Sequence, residues 1–105
     1  KLKDIVKVPE VAEYTKSVHA QYVIQVKENR DEIRKKLSEL GIPTALYYPH
    51  PIHLAPVLIE KLGYKEGDMP KSEYASKHNI ALPIDNDILK EEQDIVIDAL
   101  KKVLK

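Results

Sequence analysis

The chain contains no cysteine, no tryptophan and no phenylalanine among its 105 residues. Without cysteine it can form neither a disulfide nor a thiolate metal site, and it has no cysteine nucleophile. Its 17 basic and 17 acidic residues cancel to a formal net charge of zero, whereas binders of nucleic acids or anionic membranes usually carry a basic excess. No stretch approaches the roughly 18 consecutive apolar residues of a membrane span, and no signal-peptide pattern opens the chain. We therefore expect a cytoplasmic protein that has neither nucleic acid nor membrane as a partner.

The length supports one domain with an ordinary hydrophobic core and is too short for two. Residues 1–17 combine charges with scattered apolar residues, and Pro9 interrupts any long helix or central strand there, so we interpret them as a lead-in segment. Residues 18–105 are predicted to form the domain. Their pattern predicts strands near residues 19–27, 44–48 and 80–84, and helices near residues 30–40, 58–62, 70–78 and 91–104. The expected fold class is an α/β two-layer sandwich in which helices cover a small three-stranded sheet.

Turn and capping residues support these boundaries. Residues 19–27 alternate in the way that is typical of a half-buried strand. Asn29, with Glu32 three residues later, has the spacing of a helix N-cap and capping box. Gly41 is predicted to end that helix in a left-handed conformation. Pro70 suits the first position of the third helix.

The densest cluster of chemically active side chains follows the second predicted strand. It reads Tyr47-Tyr48-Pro49-His50-Pro51-Ile52-His53. Loops of this kind often carry binding sites, because they hold side chains on a rigid scaffold. The alternative is that the tyrosines are half-buried strand residues and the histidines are exposed. The prolines are expected to keep the chain extended as far as Pro56, and no carboxylate lies within six residues of His53, so we expect no metal site.

Six motifs occur in a specific order between residues 18 and 104. They are HAQYVI, RDE with LGIPT, YPHPIHL, LGY with GDMP, ALPI and EEQ. In this order and with these approximate spacings, they resemble the carboxy-terminal domain of the DegT/DnrJ/StrS nucleotide-sugar aminotransferases. The resemblance implies the small-domain fold of these fold-type-I pyridoxal-phosphate enzymes.

The same resemblance implies that the proline-rich loop reaches the cleft near the sugar substrate. Tyr48 matches the second residue of the family's usual His-Tyr pair, whereas Tyr47 stands where that histidine is expected. His53 matches the histidine of the family's Leu-His-Leu-Gln-Pro segment, in which Ala55 replaces the glutamine. The resemblance therefore implies that Tyr47, Tyr48 and His53 bind the substrate. It implies no catalytic residue, cofactor ligand or metal ligand in this chain.

Family members bind pyridoxal phosphate as a Schiff base to a lysine in a large amino-terminal domain. No lysine of this chain lies in the histidine- and glycine-bearing segment that surrounds that lysine. The resemblance thus implies a fragment of an aminotransferase that acts on a nucleotide-linked keto-sugar with glutamate as amino donor. We expect this chain to bind no cofactor and not to transaminate alone. Its implied partners are the missing large pyridoxal-phosphate-binding domain, the nucleotide-sugar substrate and a second copy in a homodimer.

Two other functions stay open at this point. A stand-alone α/β module that binds a small polar ligand or a protein would need no cofactor apparatus, and 105 residues contain none. A structural role through self-association is the other. It would follow if apolar surface were left uncovered near Val6, Val8 and residues 54–58.

Overall fold

The computed structural model describes all residues from 1 to 105. Its elements are, in chain order, β1 (Tyr22–Gln25), α1 (Arg30–Glu39), a 3₁₀ turn (Ile52–Leu54), α2 (Pro56–Leu62), α3 (Pro70–His78), β2 (Asn79–Leu82) and α4 (Lys90–Val103). Each of the four helices coincides with a predicted one, and α3 has the predicted bounds. No helix combines the length and the apolar composition that crossing a membrane requires.

The sheet consists of β1 and β2, which pair antiparallel along their whole length. The expectation of a third strand was wrong. Residues 44–48 contribute one isolated bridge, in which Ala45 pairs with Ala81 of β2. Pro43 and Pro49 flank this segment, and proline lacks the N–H group that a longer ladder would need.

The core lies between this sheet and helices α1 and α4. Ile24 of β1 stands opposite Ile80 of β2. Both side chains are fully buried, as are Leu37 of α1 and Leu100 of α4, and all four belong to one apolar cluster. Because directly paired residues of neighbouring strands point to the same face, both helices pack on one face of the sheet. The expected α/β fold class is thereby confirmed, with a sheet of two strands.

The N-terminal segment takes part in this core. Leu2 and Val6 are only 8% and 7% exposed and belong to the same apolar cluster. The backbone of Lys7 exchanges two hydrogen bonds with Gln25, at 2.9 and 3.1 Å. The expectation that Val6 would be uncovered was therefore wrong, because pairing of its neighbour with β1 draws it inward. The domain boundary between residues 17 and 18 stays a prediction.

The two ends of α1 show where local signals succeed and fail. Gly41 has the predicted left-handed conformation, with a φ of 78°. Asn29 is also left-handed, with a φ of 56°, and its side chain makes no capping hydrogen bond. Asn29 is nevertheless the N-cap residue, as predicted, since its carbonyl accepts the N–H of Ile33 at 2.9 Å. Its side chain does not cap the helix, because side-chain capping typically requires an extended backbone. Glu32 forms an ion pair with Lys36, one turn further along the helix, at 2.7 Å.

Candidate functional site

The Tyr/His segment forms a strap, residues 46–51, between the sheet and the 3₁₀ turn. At its first end, Ala45 exchanges two backbone hydrogen bonds with Ala81, at 2.9 and 3.1 Å. At its second end, the N–H of Leu54 donates to the carbonyl of Pro51 at 3.0 Å. The expectation of an extended chain as far as Pro56 was wrong, since the 3₁₀ turn begins at residue 52. Helix α2 then begins at Pro56 itself, whose fixed φ suits a first helical position.

The two tyrosines of the strap are accessible. Tyr47 is 41% exposed and Tyr48 is 72% exposed. Their peptide bond is cis, and their rings meet edge to face with centroids 5.9 Å apart. They are therefore exposed rather than half-buried. Each phenol can both donate and accept a hydrogen bond, so the pair suits contact with a hydroxyl-rich ligand.

His53 is buried, in contrast to these tyrosines. It is 4% exposed, whereas His50 on the strap is exposed. The Nε2 atom of His53 lies 3.0 Å from Oε1 of Glu73, in the first turn of α3. The ring of Tyr64 meets the His53 ring edge to face, with centroids 6.0 Å apart. The expectation that the histidines are exposed therefore holds for His50 only.

Glu73 is a buried charge that the sequence did not single out. It is 8% exposed. Its two carboxylate oxygens accept the N–H of Gly67 at 2.9 and 3.0 Å, and Oε1 also accepts the N–H of Met69 at 3.2 Å. The N–H of Gly67 is the main cause that lowers the pKa of Glu73; burial opposes it, and His53 and Met69 add to the lowering. The carboxylate is therefore ionised at neutral pH and compensated by donors from three residues.

A local signal for Glu73 existed but was not distinctive. Acidic residues are favoured in the first turn of many helices, because the helix dipole and free N–H groups stabilise them there. The pairing with His53 spans twenty positions of the chain. Nothing in the spacing of the two residues indicates that contact.

The ionised carboxylate of Glu73 makes stability sensitive to acid. Because its folded-state pKa is lowered, its contribution is present above the ordinary value of 4.5 and is lost as the pH falls through the lowered value. We expect the free energy of unfolding of Glu73→Gln to fall less steeply than that of the unmodified chain as the pH is lowered below about 4.5. Urea unfolding at a series of pH values between about 7 and 3 measures this difference. Some decline should persist from Asp94, whose pKa Lys1 and Lys90 lower to about 2.

The matched control for this measurement is Glu66→Gln. Glu66 lies in the same loop region, but its side chain is 73% exposed. This variant should keep the acid profile of the unmodified chain. Identical acid profiles for Glu73→Gln and the unmodified chain would contradict the prediction.

Helix α2 is rich in apolar residues yet has no buried residue. Four of its seven residues are large and apolar, and Val57, Ile59 and Leu62 are 52%, 44% and 64% exposed. Exposed apolar residues that lie together on a protein surface often mark a contact with another part of a larger structure. The apolar surface expected at residues 54–58 is thus present and extends to Leu62.

The lysines of this chain do not fit pyridoxal phosphate. Every lysine is exposed, whereas a lysine that forms a Schiff base is activated by a pocket or by neighbouring charge. Two surface cavities, of about 770 and 390 Å³, border the N-terminal segment. Neither is lined by Tyr47, Tyr48 or His53. The lysines that line these cavities, Lys1, Lys3, Lys7 and Lys27, therefore share neither of them with the Tyr/His segment.

Comparison with known proteins places these features in context. The model of the DegT/DnrJ/EryC1/StrS aminotransferase family matches residues 1–101. A pleiotropic regulatory protein of Geobacillus stearothermophilus is 39% identical over 97 residues, which is 92% of this chain and 26% of that protein. The dTDP-3-amino-3,4,6-trideoxy-alpha-D-glucose transaminase of Streptomyces venezuelae is 35% identical over 75 residues, which is 71% of this chain and 20% of that enzyme.

A solved structure shows the same fold. The DegT DnrJ EryC1 StrS aminotransferase from Brucella abortus superposes with a TM-score of 0.86 at 34% identity, over 98% of this chain and 27% of that one. The chain thus spans between a fifth and a quarter or so of the length of these relatives. The family match, in contrast, covers residues 1–101, which is almost all of this chain. The chain therefore belongs to the DegT/DnrJ/EryC1/StrS aminotransferase family.

Proposed function

We propose that this chain is the C-terminal small domain of an aminotransferase that acts on a nucleotide-linked keto-sugar, with glutamate as the amino donor. The observation that carries the proposal is the exposed pair Tyr47 and Tyr48, on a strap attached at both ends and followed by the unburied helix α2. A strap held at both ends can present two phenols to a cleft with little loss of conformational entropy. The similarity to a dTDP-sugar transaminase supports the class of substrate.

The proposed role of the two tyrosines is to bind the sugar. Their hydroxyls can both donate hydrogen bonds to sugar hydroxyls and accept hydrogen bonds from them. His53 is buried, so we propose that it serves the substrate site by holding the end of the strap.

The family depends on pyridoxal phosphate, which supplies the electron sink for amino transfer when it is bound. The residues of this chain do not fit that cofactor, so we assign it to the large domain of the full-length enzyme. We propose that the apolar surface of α2, around Val57 and Leu62, packs against that remaining part of the enzyme. Formation of a homodimer and a cytoplasmic location stay predictions.

The kinetic test is Tyr48→Phe in a full-length enzyme that carries this domain. Loss of one neutral hydrogen bond is expected to raise the KM for the nucleotide sugar roughly three- to tenfold, while the half-reaction with glutamate stays unchanged. The control is Tyr74→Phe, because Tyr74 is 50% exposed on α3 and lies outside the strap. Equal KM values for the sugar in both variants would contradict the assignment of Tyr48.

The stand-alone binding module is the competing function. The reading frame upstream of residue 1 distinguishes it from the proposed function. A large domain with a Schiff-base lysine encoded there supports the aminotransferase, and a start codon at or near residue 1 supports the module.

A further inference from the structure

We propose that Glu73 is a positioning residue: it holds the imidazole of His53 in one tautomer and one orientation, and thereby holds the strap that carries Tyr47 and Tyr48. The relevance of this to substrate binding rests on the proposed function of the two tyrosines. The positioning itself depends only on contacts within the chain.

The first step is the convergence of donors on one carboxylate. Glu73 joins two separate pieces of the chain: the loop of Gly67 and Met69 that leads directly into α3, and His53 of the 3₁₀ turn. The side chains of His53 and Glu73 are 5% and 10% exposed. A buried carboxylate with this many donors has little freedom to rotate, because each rotation would leave a donor unpaired.

The second step is the tautomer of His53. An ionised carboxylate can only accept hydrogen bonds, so the 3.0 Å contact requires a proton on Nε2 of His53. Neutral His53 therefore carries its proton on Nε2 and leaves Nδ1 as an acceptor. The ring plane is constrained further by the edge-to-face contact with Tyr64.

The third step connects the ring to the strap. His53 is the central residue of the 3₁₀ turn, in which Leu54 and Ala55 donate their N–H groups to Pro51 and Ile52, both at 3.0 Å. Pro51 is the last residue of the strap, and its φ is fixed by its ring. Its carbonyl accepts the hydrogen bond from Leu54, which ties it to this turn. Holding His53 therefore holds the second end of the strap, while the bridge of Ala45 holds the first.

The test compares Glu73→Ala, Glu73→Gln and the exposed control Glu66→Gln in the 105-residue chain. The readouts are the ¹⁵N chemical shifts of His53, which report the tautomer, and amide hydrogen exchange at Leu54 and Ala55. The amides of Ala45 and Ala81, which pair with each other, report whether the sheet stays folded.

For Glu73→Ala we expect exchange at Leu54 and Ala55 to accelerate about tenfold or more, with a mixed His53 tautomer and less than about threefold change at Ala45 and Ala81. Glu73→Gln should restore the Nε2 tautomer, because its amide oxygen still accepts from Nε2–H. If Glu73→Ala fails to fold, the His53 tautomer in Glu73→Gln still tests the proposal. Glu66→Gln should change none of these readouts.

The proposal is overturned if Glu73→Ala speeds exchange only at Gly67 and Met69, with Leu54, Ala55 and the His53 tautomer unchanged. Glu73 would then only cap the start of α3. It is also overturned if Glu73→Gln folds and loses the Nε2 tautomer. These outcomes are independent of the sugar kinetics, so an unchanged KM in Tyr48→Phe would contradict the proposed role of Tyr48 and leave the positioning role of Glu73 intact.

Discussion

Leu100→Ala is expected to lower the free energy of unfolding by about 2–5 kcal/mol. Leu100 lies on α4 with none of its surface exposed, in the cluster that also contains Ile24, Leu37 and Ile80. Truncation removes apolar burial and leaves a cavity where both helices meet the sheet, so both losses add. A loss of this size is a large fraction of the roughly 5–15 kcal/mol of a typical domain. Urea unfolding of the 105-residue chain measures it.

The matched control is Leu89→Ala, at the residue that precedes α4. Leu89 is 60% exposed, so its truncation should change the free energy of unfolding by no more than about 0.5 kcal/mol. Equal losses in the two variants would mean that the core described between the sheet and α4 is not what stabilises the chain.

Pyridoxal phosphate is expected to label no single lysine of the 105-residue chain stoichiometrically. All lysines are exposed, including Lys1, Lys3, Lys7 and Lys27, which border the two surface cavities. We therefore expect no one of them to favour a Schiff base over the others. Reduction with borohydride followed by peptide mass spectrometry should find low modification spread over many lysines. An enzyme that holds the cofactor on one lysine would instead show nearly complete modification of that single lysine.

The control for that experiment is the same chain unfolded in urea. The folded and unfolded chains should give similar distributions of modified lysines, because the fold selects none of them. Stoichiometric modification of one lysine in the folded chain alone would refute the assignment of the cofactor to another domain.

Elements governed by neighbouring residues were predictable from the sequence. Pro70 sets the start of α3, and apolar residues spaced along residues 91–104 indicated α4 as an amphipathic helix, with Ala99 and Leu100 buried as predicted. The left-handed turn at Gly41 followed from the preference of glycine for positive φ. These features depend on interactions within about one helical turn, which is the range that a single sequence records directly.

Features that depend on distant residues were mispredicted or missed. Residues 44–48 had the composition of a strand, but only Ala45 finds a partner in β2. The N-terminal segment looked peripheral, yet Val6 is part of the core. The burial of His53 could not be inferred either, because its partner Glu73 is brought to it by the packing of the 3₁₀ turn against the start of α3.

The sequence itself thus determined the absence of cysteine, tryptophan and phenylalanine, the balanced charge and the helical segments. Each of these follows from residue type or from contacts a few positions apart. Which tyrosines are exposed, and which histidine is buried against a carboxylate, was decided only by the tertiary structure. Burial and hydrogen bonding depend on what the rest of the chain places beside a residue. For Tyr48 and His53, five positions apart, that environment differs completely: one is 72% exposed and the other 4%.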